Sequence, residues 1–469
     1  MRKKILLPGL CVLISLFSVL NIVYSSESSR FVVPQLSFKS EYLAFTPQLI
    51  IFLPPDYYIS DKHYPVMYAH DGQNLFDPKT AFSETWRMHE NIEYLLTNGL
   101  MEEIIVVGIY NTARRMYDYT PTQISNERVQ NQGGDLENHA LYLTEELKPW
   151  IDKNFRTFPD RKNTAIMGSS LGGLASFYII GKYPEIFGKA AVISPSFWWD
   201  NVRVIDDIKN LKFSEDVKIY MDGGYLEDTK NNTMVLNMRK VYSELKKIGL
   251  GDIKNIFYYE DPQGGHNEYH WAKRGKMPFY YLFGKLDTKP KGVSLRFDPP
   301  VILTGDTATF IAEIEMGNGM SFTCVDTEIK STDRSRAVIS SGKLVAKKEG
   351  VAEFDIYFSG EKFKRELYIF PRKDGYSHRL LRVYSSEPVD KIEMEILFAG
   401  SDKTEVVGMR ALDKHTFEAP LSYPTGERLR FRLRNHKEQY AATSAGRILS
   451  RGLIFSENRL TEIEVDNWE

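Results

Sequence analysis

One hydroxyl in this chain stands in a setting that would make it react. Thr164-Ala165-Ile166-Met167-Gly168-Ser169-Ser170-Leu171-Gly172-Gly173 reads as a short strand, a sharp turn centred on Ser170 and the start of a helix. Gly168-x-Ser170-x-Gly172 is the only Gly-x-Ser-x-Gly in the sequence and has the spacing of a nucleophile elbow. The nucleophile of such a turn is held at a strained backbone angle. A side chain two residues to either side would collide, so both flanks are glycine. The turn delivers the hydroxyl to a helix N-terminus, where free N–H groups and the positive dipole end favour a developing oxyanion.

A serine hydroxyl attacks a carbonyl only when a base takes its proton, and that base needs an orienting acid. In the chain order Ser, acid, His, only His266 and His270 follow Ser170 before residue 288. His266 stands in Asp261-Pro262-Gln263-Gly264-Gly265-His266-Asn267-Glu268, a loop directly after the strand-like run 256–259. A base there reaches over the C-terminal edge of a sheet. His270, one helical turn on beside Trp271, belongs on a helix packed beneath. The pair also reads as His-x-x-x-His, but Asn267 stands where a zinc-peptidase pattern needs Glu, and no third ligand is apparent. No metal or cofactor is expected.

The acid is expected after the run 217–221, in Asp222-Gly223-Gly224-Tyr225-Leu226-Glu227-Asp228. Asp222 ends the strand, whereas Glu227 and Asp228 lie beyond the glycines where a loop can reach an imidazole. Spacing leaves those two open. The second oxyanion donor is expected from the polar loop that follows the run 65–69, which pairs the backbone N–H of Gln73 with that of Leu171.

The elements that must hold these residues are visible as texture. Between about 40 and 288, apolar runs at 49–53, 65–69, 104–109, 164–167, 190–193, 217–221 and 256–259 alternate with helix-like stretches at 136–155 and 233–248. That is an α/β pattern with a mostly parallel sheet. After residue 292 helical periodicity disappears and short alternating strands take over, with a second shift near 371–375. Two small all-β sandwiches of about 80 and 95 residues fit that spacing.

At the start, Arg2-Lys3-Lys4 precedes an apolar stretch from 5 to 23 and small residues at 25 and 26, the pattern of an export signal cut after Ser25. The expected location is periplasmic or extracellular; an uncleaved anchor, and with it a membrane partner, is the competing reading. Removal of Cys11 with the signal leaves one thiol, Cys324, in strand-like text that suits a buried small hydrophobe. Of the 469 residues, 42% are apolar and 26% charged, which excludes a disordered chain. Lys plus Arg (60) nearly balances Asp plus Glu (62), so no basic excess points to nucleic acid.

Four stretches in order, Tyr68-Ala69-His70-Asp71-Gly72-Gln73-Asn74-Leu75-Phe76, Gly168–Gly173, Ser194-Pro195-Ser196-Phe197-Trp198-Trp199 and Gly264–Glu268, resemble the putative-esterase family of α/β-hydrolases. That family includes enterochelin-type siderophore esterases, feruloyl and acetyl-xylan esterases, S-formylglutathione hydrolases and mycolyl transferases. The resemblance implies an α/β-hydrolase domain over 30–288 behind a signal at 1–25. It favours Glu227 over Asp228, because the family's acid tends to come three residues after a Gly. It also implies a place for Trp198 and Trp199 beside the acyl or alcohol pocket; an aromatic plug beneath the sheet edge is the alternative. Residues 289–371 resemble a bacterial Ig-like domain and 372–469 a starch-binding-type sandwich, although only Trp468 of the six Trp residues lies in the latter.

The expectation is an exported serine carboxylic-ester hydrolase with Ser170 as nucleophile, His266 as base and Glu227 as orienting acid. Acetyl or feruloyl esters of carbohydrate are the first substrate reading, and siderophore lactones are the second. Acyl transfer by the same machinery, or a binding protein with a vestigial hydrolase domain, are the remaining alternatives. The expected partner is an ester substrate, polysaccharide-linked in the first reading, with no nucleic acid.

Overall fold

A parallel strand buried on both faces reads as a continuous apolar run, and the runs of the first half become strands of one eight-stranded sheet. Its members are β1 (Val32–Leu36), β2 (Leu49–Phe52), β3 (Val66–His70), β4 (Ile105–Ile109), β5 (Thr164–Ser169), β6 (Lys189–Ile193), β7 (Lys218–Gly224) and β8 (Ile256–Asp261). They lie in the order β1-β2-β4-β3-β5-β6-β7-β8. From β4 across to β8 the pairings are parallel, while β1 and β2 join antiparallel at one edge. The edge strand β1 was not expected from the sequence. It contains Pro34, which an edge tolerates and an inner strand does not.

The computed structural model describes residues 32–36, 39–125, 130–228, 233–285, 289–317, 320–324, 328–340, 342–358, 360–398, 400, 403–412, 414–442 and 450–468. The export signal expected over 1–25 lies outside the described residues. No helix among those described is long and apolar enough to cross a membrane.

Helix α1 spans Met88–Thr97, α2 Leu171–Lys182, α3 Thr233–Lys247 and α4 Glu268–Arg274. Every residue of α2 from Leu171 to Gly181 is buried, which makes it the helix around which the sheet's centre is packed. The helical stretch expected at 136–155 runs from Leu136 to Asn154, with a π-helical turn over Tyr142–Leu147.

The chain divides into two compact units between Thr288 and Lys289. The second unit is all-β. Its first sandwich sets a five-stranded sheet (Pro290–Asp298, Thr307–Met316, Ser321–Cys324, Ala337–Ser340, Lys343–Ala346) on a four-stranded one. Cys324 is buried there and takes part in no disulfide among the described residues. The second sandwich packs two four-stranded sheets over a core that includes Leu381, Met394, Phe417 and Phe431. Trp468 belongs to that core, with its indole N–H donating to Ser385 Oγ at 2.9 Å. It is no exposed sugar platform.

Candidate active site

At the end of β5 the backbone turns sharply into α2. Ser170 carries the turn at φ 56° and ψ −121°, a conformation that residues with a Cβ rarely adopt. The flanking glycines are explained by contact: a Cβ on Gly168 would lie 2.4 Å from the Gly172 carbonyl carbon. The strained turn is held by Ser170 N–H donating to Ile193 O at 3.0 Å and by Ser196 N–H donating to Ser170 O at 2.9 Å. Leu171 is the first residue of α2, so its N–H has no partner within the helix.

His266 and Glu227 reach this serine from the loops after β8 and β7. Glycines let the two loops touch, for a Cβ on Gly224 would stand 2.1 Å from Gly264 O. The loops are laced by Tyr225 N–H to Asp261 O at 3.0 Å and Leu226 N–H to Gly264 O at 2.9 Å. The result is a relay: Ser170 Oγ lies 3.0 Å from His266 Nε2, and His266 Nδ1 lies 3.0 Å from Glu227 Oε2. With a carboxylate at Nδ1, the proton belongs on that nitrogen and Nε2 is free to accept from the serine. The ring packs edge-on to Trp271 at 5.1 Å. Its outer part stays open to solvent, with His266 32% exposed, whereas the Glu227 side chain is fully covered.

The covered end of Glu227 is strongly constrained. Its Oε1 accepts from Ser194 Oγ at 2.5 Å and from the Gly224 N–H at 2.6 Å. Ser194 in turn accepts from the Trp271 indole and from Arg274 Nη2, each at 2.8 Å. The same guanidinium bonds Asp222 through Nε at 2.9 Å. Burial pushes the Asp222 carboxyl above its ordinary range, beyond what Arg274 and the Tyr220 hydroxyl offset. Asp222 anchors Arg274 through the 2.9 Å bond itself. Asp222 was weighed in the sequence and Ser194 opens one of the family-like stretches, whereas Arg274 and its bond to Ser194 were missed there, since no local pattern ties residues eighty positions apart. His270 lies on α4.

The loop after β3 lies against the elbow, since a Cβ on Gly172 would come within 3.1 Å of His70 Cβ and 3.4 Å of Asp71 Oδ2. Asp71 is left-handed at φ 55°. Its carboxylate is gripped by Arg115 through two 2.7 Å bonds and by Asn111 Nδ2 at 2.6 Å. Burial raises the Asp71 carboxyl, but these cationic and amide donors outweigh it and hold it below the usual range. Gln73 is buried in the one-turn helix that follows, its side-chain oxygen accepting from Asn111 N–H at 3.2 Å.

The two tryptophans part company. Trp199 is buried, its indole donating to Thr122 O at 3.1 Å. Trp198 is 44% exposed.

Residues 40–274 match the family model described as "Putative esterase". The uncharacterised protein YbbA of Bacillus subtilis is 27% identical over 252 residues, which cover 52% of this chain and 96% of that protein. The ferri-bacillibactin esterase BesA of the same organism is 28% identical over 212 residues, 41% of this chain and 71% of BesA. An endo-1,4-beta-xylanase/feruloyl esterase of Xylanibacter ruminicola is 27% identical over 175 residues, 36% of this chain but only 22% of that larger protein.

Proposed function

The chain belongs to the "Putative esterase" family and is an esterase of the serine hydrolase type, and from that premise we propose a mechanism for it through Ser170, His266 and Glu227. The observation that supports this assignment is the pair of 3.0 Å bonds linking the hydroxyl, the imidazole and the carboxylate. Ser170 Oγ attacks the ester carbonyl carbon as its proton passes to His266 Nε2. The carbonyl oxygen, now an oxyanion, is met by the backbone N–H groups of Leu171 and Gln73. Collapse breaks the bond to the alcohol, which leaves with the proton from His266. Water then repeats the sequence on the acyl-serine, giving up its proton to Nε2 and releasing the acid. Throughout, Glu227 holds the imidazole in the Nδ1–H tautomer and stabilises the imidazolium.

The substrate class proposed is an acyl ester, acetyl or feruloyl, carried on a polysaccharide outside the cytoplasm. The relative with feruloyl esterase in its name and the appended all-β unit support it. Similarity to the ferri-bacillibactin esterase favours a siderophore ester as the second reading. In both readings Trp198, which is exposed, is assigned by this proposal to the acyl or alcohol pocket.

A panel of acetylated xylan, methyl ferulate, p-nitrophenyl esters of two, four and eight carbons and a ferric siderophore lactone tests the proposal beside a Ser170→Ala control. Release of acetate or ferulate that the control abolishes is the expected result. Full turnover by the control overturns the mechanism, and preferential cleavage of the lactone transfers the assignment to the second reading.

A further inference from the structure

The second sandwich carries an unfinished charge ladder. Strand Arg428–Asn435 is an inner strand of the sheet ordered Thr404–Gly408, Ile392–Phe398, Arg428–Asn435, Ser450–Ile454. Its alternation is complete: Leu429, Phe431 and Leu433 enter the core, and Arg428, Arg430, Arg432 and Arg434 share the outer face. The neighbouring strand answers only half of them. Glu393 stands opposite Arg434 and Glu395 opposite Arg432, with ion pairs of 2.8 and 2.5 Å. Arg430 instead faces Leu397 on one side and Gly452 on the other, while Arg428 faces Ile454. Both are exposed, and among the described residues neither guanidinium has an ion pair or hydrogen bond.

Where the glutamates stop, a groove of about 560 Å³ opens. Leu397, Phe398 and Ile454 form its apolar walls, and a Cβ on Gly400 would meet nothing within 4 Å. Among the described residues, no carboxylate lines it. Lys403 Nζ sits 4.3 Å from the centre of the Phe398 ring.

We propose that this groove binds a polysaccharide bearing carboxylates. A planar guanidinium fork matches a carboxylate through two parallel bonds. Alternate positions on a strand set the two forks roughly 6.7 Å apart along it. Between them, the apolar walls take the C–H face of a sugar ring. A nucleic acid backbone needs an extended track of free cations, whereas here the track ends after two because Arg432 and Arg434 are neutralised. The inference deepens the polymer-ester reading above by naming the polymer's charge, and it can be tested without turnover.

The experiment is affinity electrophoresis of the full chain carrying Ser170→Ala, through gels holding polygalacturonate, carboxyl-reduced polygalacturonate or single-stranded DNA. Retardation by polygalacturonate alone is expected, weakened about tenfold or more by Arg428→Gln with Arg430→Gln. Equal retardation by the carboxyl-reduced polymer, equal or stronger retardation by DNA, or an unchanged double variant would each overturn the proposal. Ester assays on the chain with Ser170 intact are read separately. A chain that binds without hydrolysing counts against the esterase reading alone, and one that hydrolyses without binding counts against this one alone. The double substitution is expected to leave p-nitrophenyl acetate turnover unchanged.

Discussion

Two imidazole pairings within the first unit stand in opposite surroundings. His266 lies in a loop, partly open, with a hydroxyl on one nitrogen and a carboxylate on the other. His70 and His139 are buried, their Nε2 atoms 3.1 Å apart. His70 Nδ1 stands 2.9 Å from Met167 O, so its proton sits there and its Nε2 must accept. His139 then donates from Nε2, which leaves its Nδ1 buried without a hydrogen-bond partner. Burial, which outweighs the Met167 carbonyl, pushes His70 down to about 4, and burial pushes His139 well below the ordinary value. An imidazole becomes a proton shuttle when a carboxylate can balance the charge it acquires and solvent can reach it. Two neutral rings locked together serve instead as packing, here beneath the loop that carries Gln73.

The sharpest way to break this contrast is to delete each ring. His266→Ala should lower kcat/KM by about 10⁴–10⁶ while leaving the unfolding midpoint nearly unchanged. A hundredfold loss or less would mean that another base serves Ser170. Glu227→Gln keeps the shape but admits the wrong tautomer, and steady-state kinetics should show a fall in kcat of about 10³–10⁴.

The support behind Glu227 extends the contrast to stability. Arg274→Ala strands the buried Asp222 carboxylate and should destabilise by about 3–5 kcal/mol in denaturant titration. A loss under about 1 kcal/mol would show that Asp222 is protonated and needs no cation.

The smallest effect separates the buried pair by pH. Histidines whose folded values are depressed are neutral in the native state and charge on unfolding. Their contribution is therefore complete above about pH 6.5 and is lost as pH falls towards His70's folded value of about 4. Denaturant midpoints measured between pH 7 and pH 4 should decline, and His139→Phe should flatten that decline. An unaltered slope would contradict the burial argument.

How far the sequence revealed the site depended on whether the physics was local. Ser170 stands out because the close approach of Gly168 to Gly172, which leaves no room for a Cβ, is a contact only four residues apart. His266 stands out because only two histidines follow the serine in the first unit. Glu227 and Asp228 could not be separated by spacing, since the side chains that meet Oε1 of Glu227, Ser194 and Arg274, come from 33 and 47 positions away. The sheet was legible because parallel strands must be apolar throughout, and β1 was not, because an edge strand is free to carry Pro34 and Gln35. The adjacent tryptophans look alike as text. Only tertiary packing buries Trp199 against Gly133, where a Cβ would meet its ring at 2.6 Å, and leaves Trp198 outside.

In the proposed mechanism one hydroxyl, that of Ser170, becomes the acyl carrier. Incubation with a fluorophosphonate, followed by mass spectrometry of the digested protein, reads this directly. A single adduct on Ser170 is expected, formed only when His266 is present and absent from Ser170→Ala. Labelling at another residue, or an unlabelled Ser170 in a chain that still cleaves esters, would contradict it.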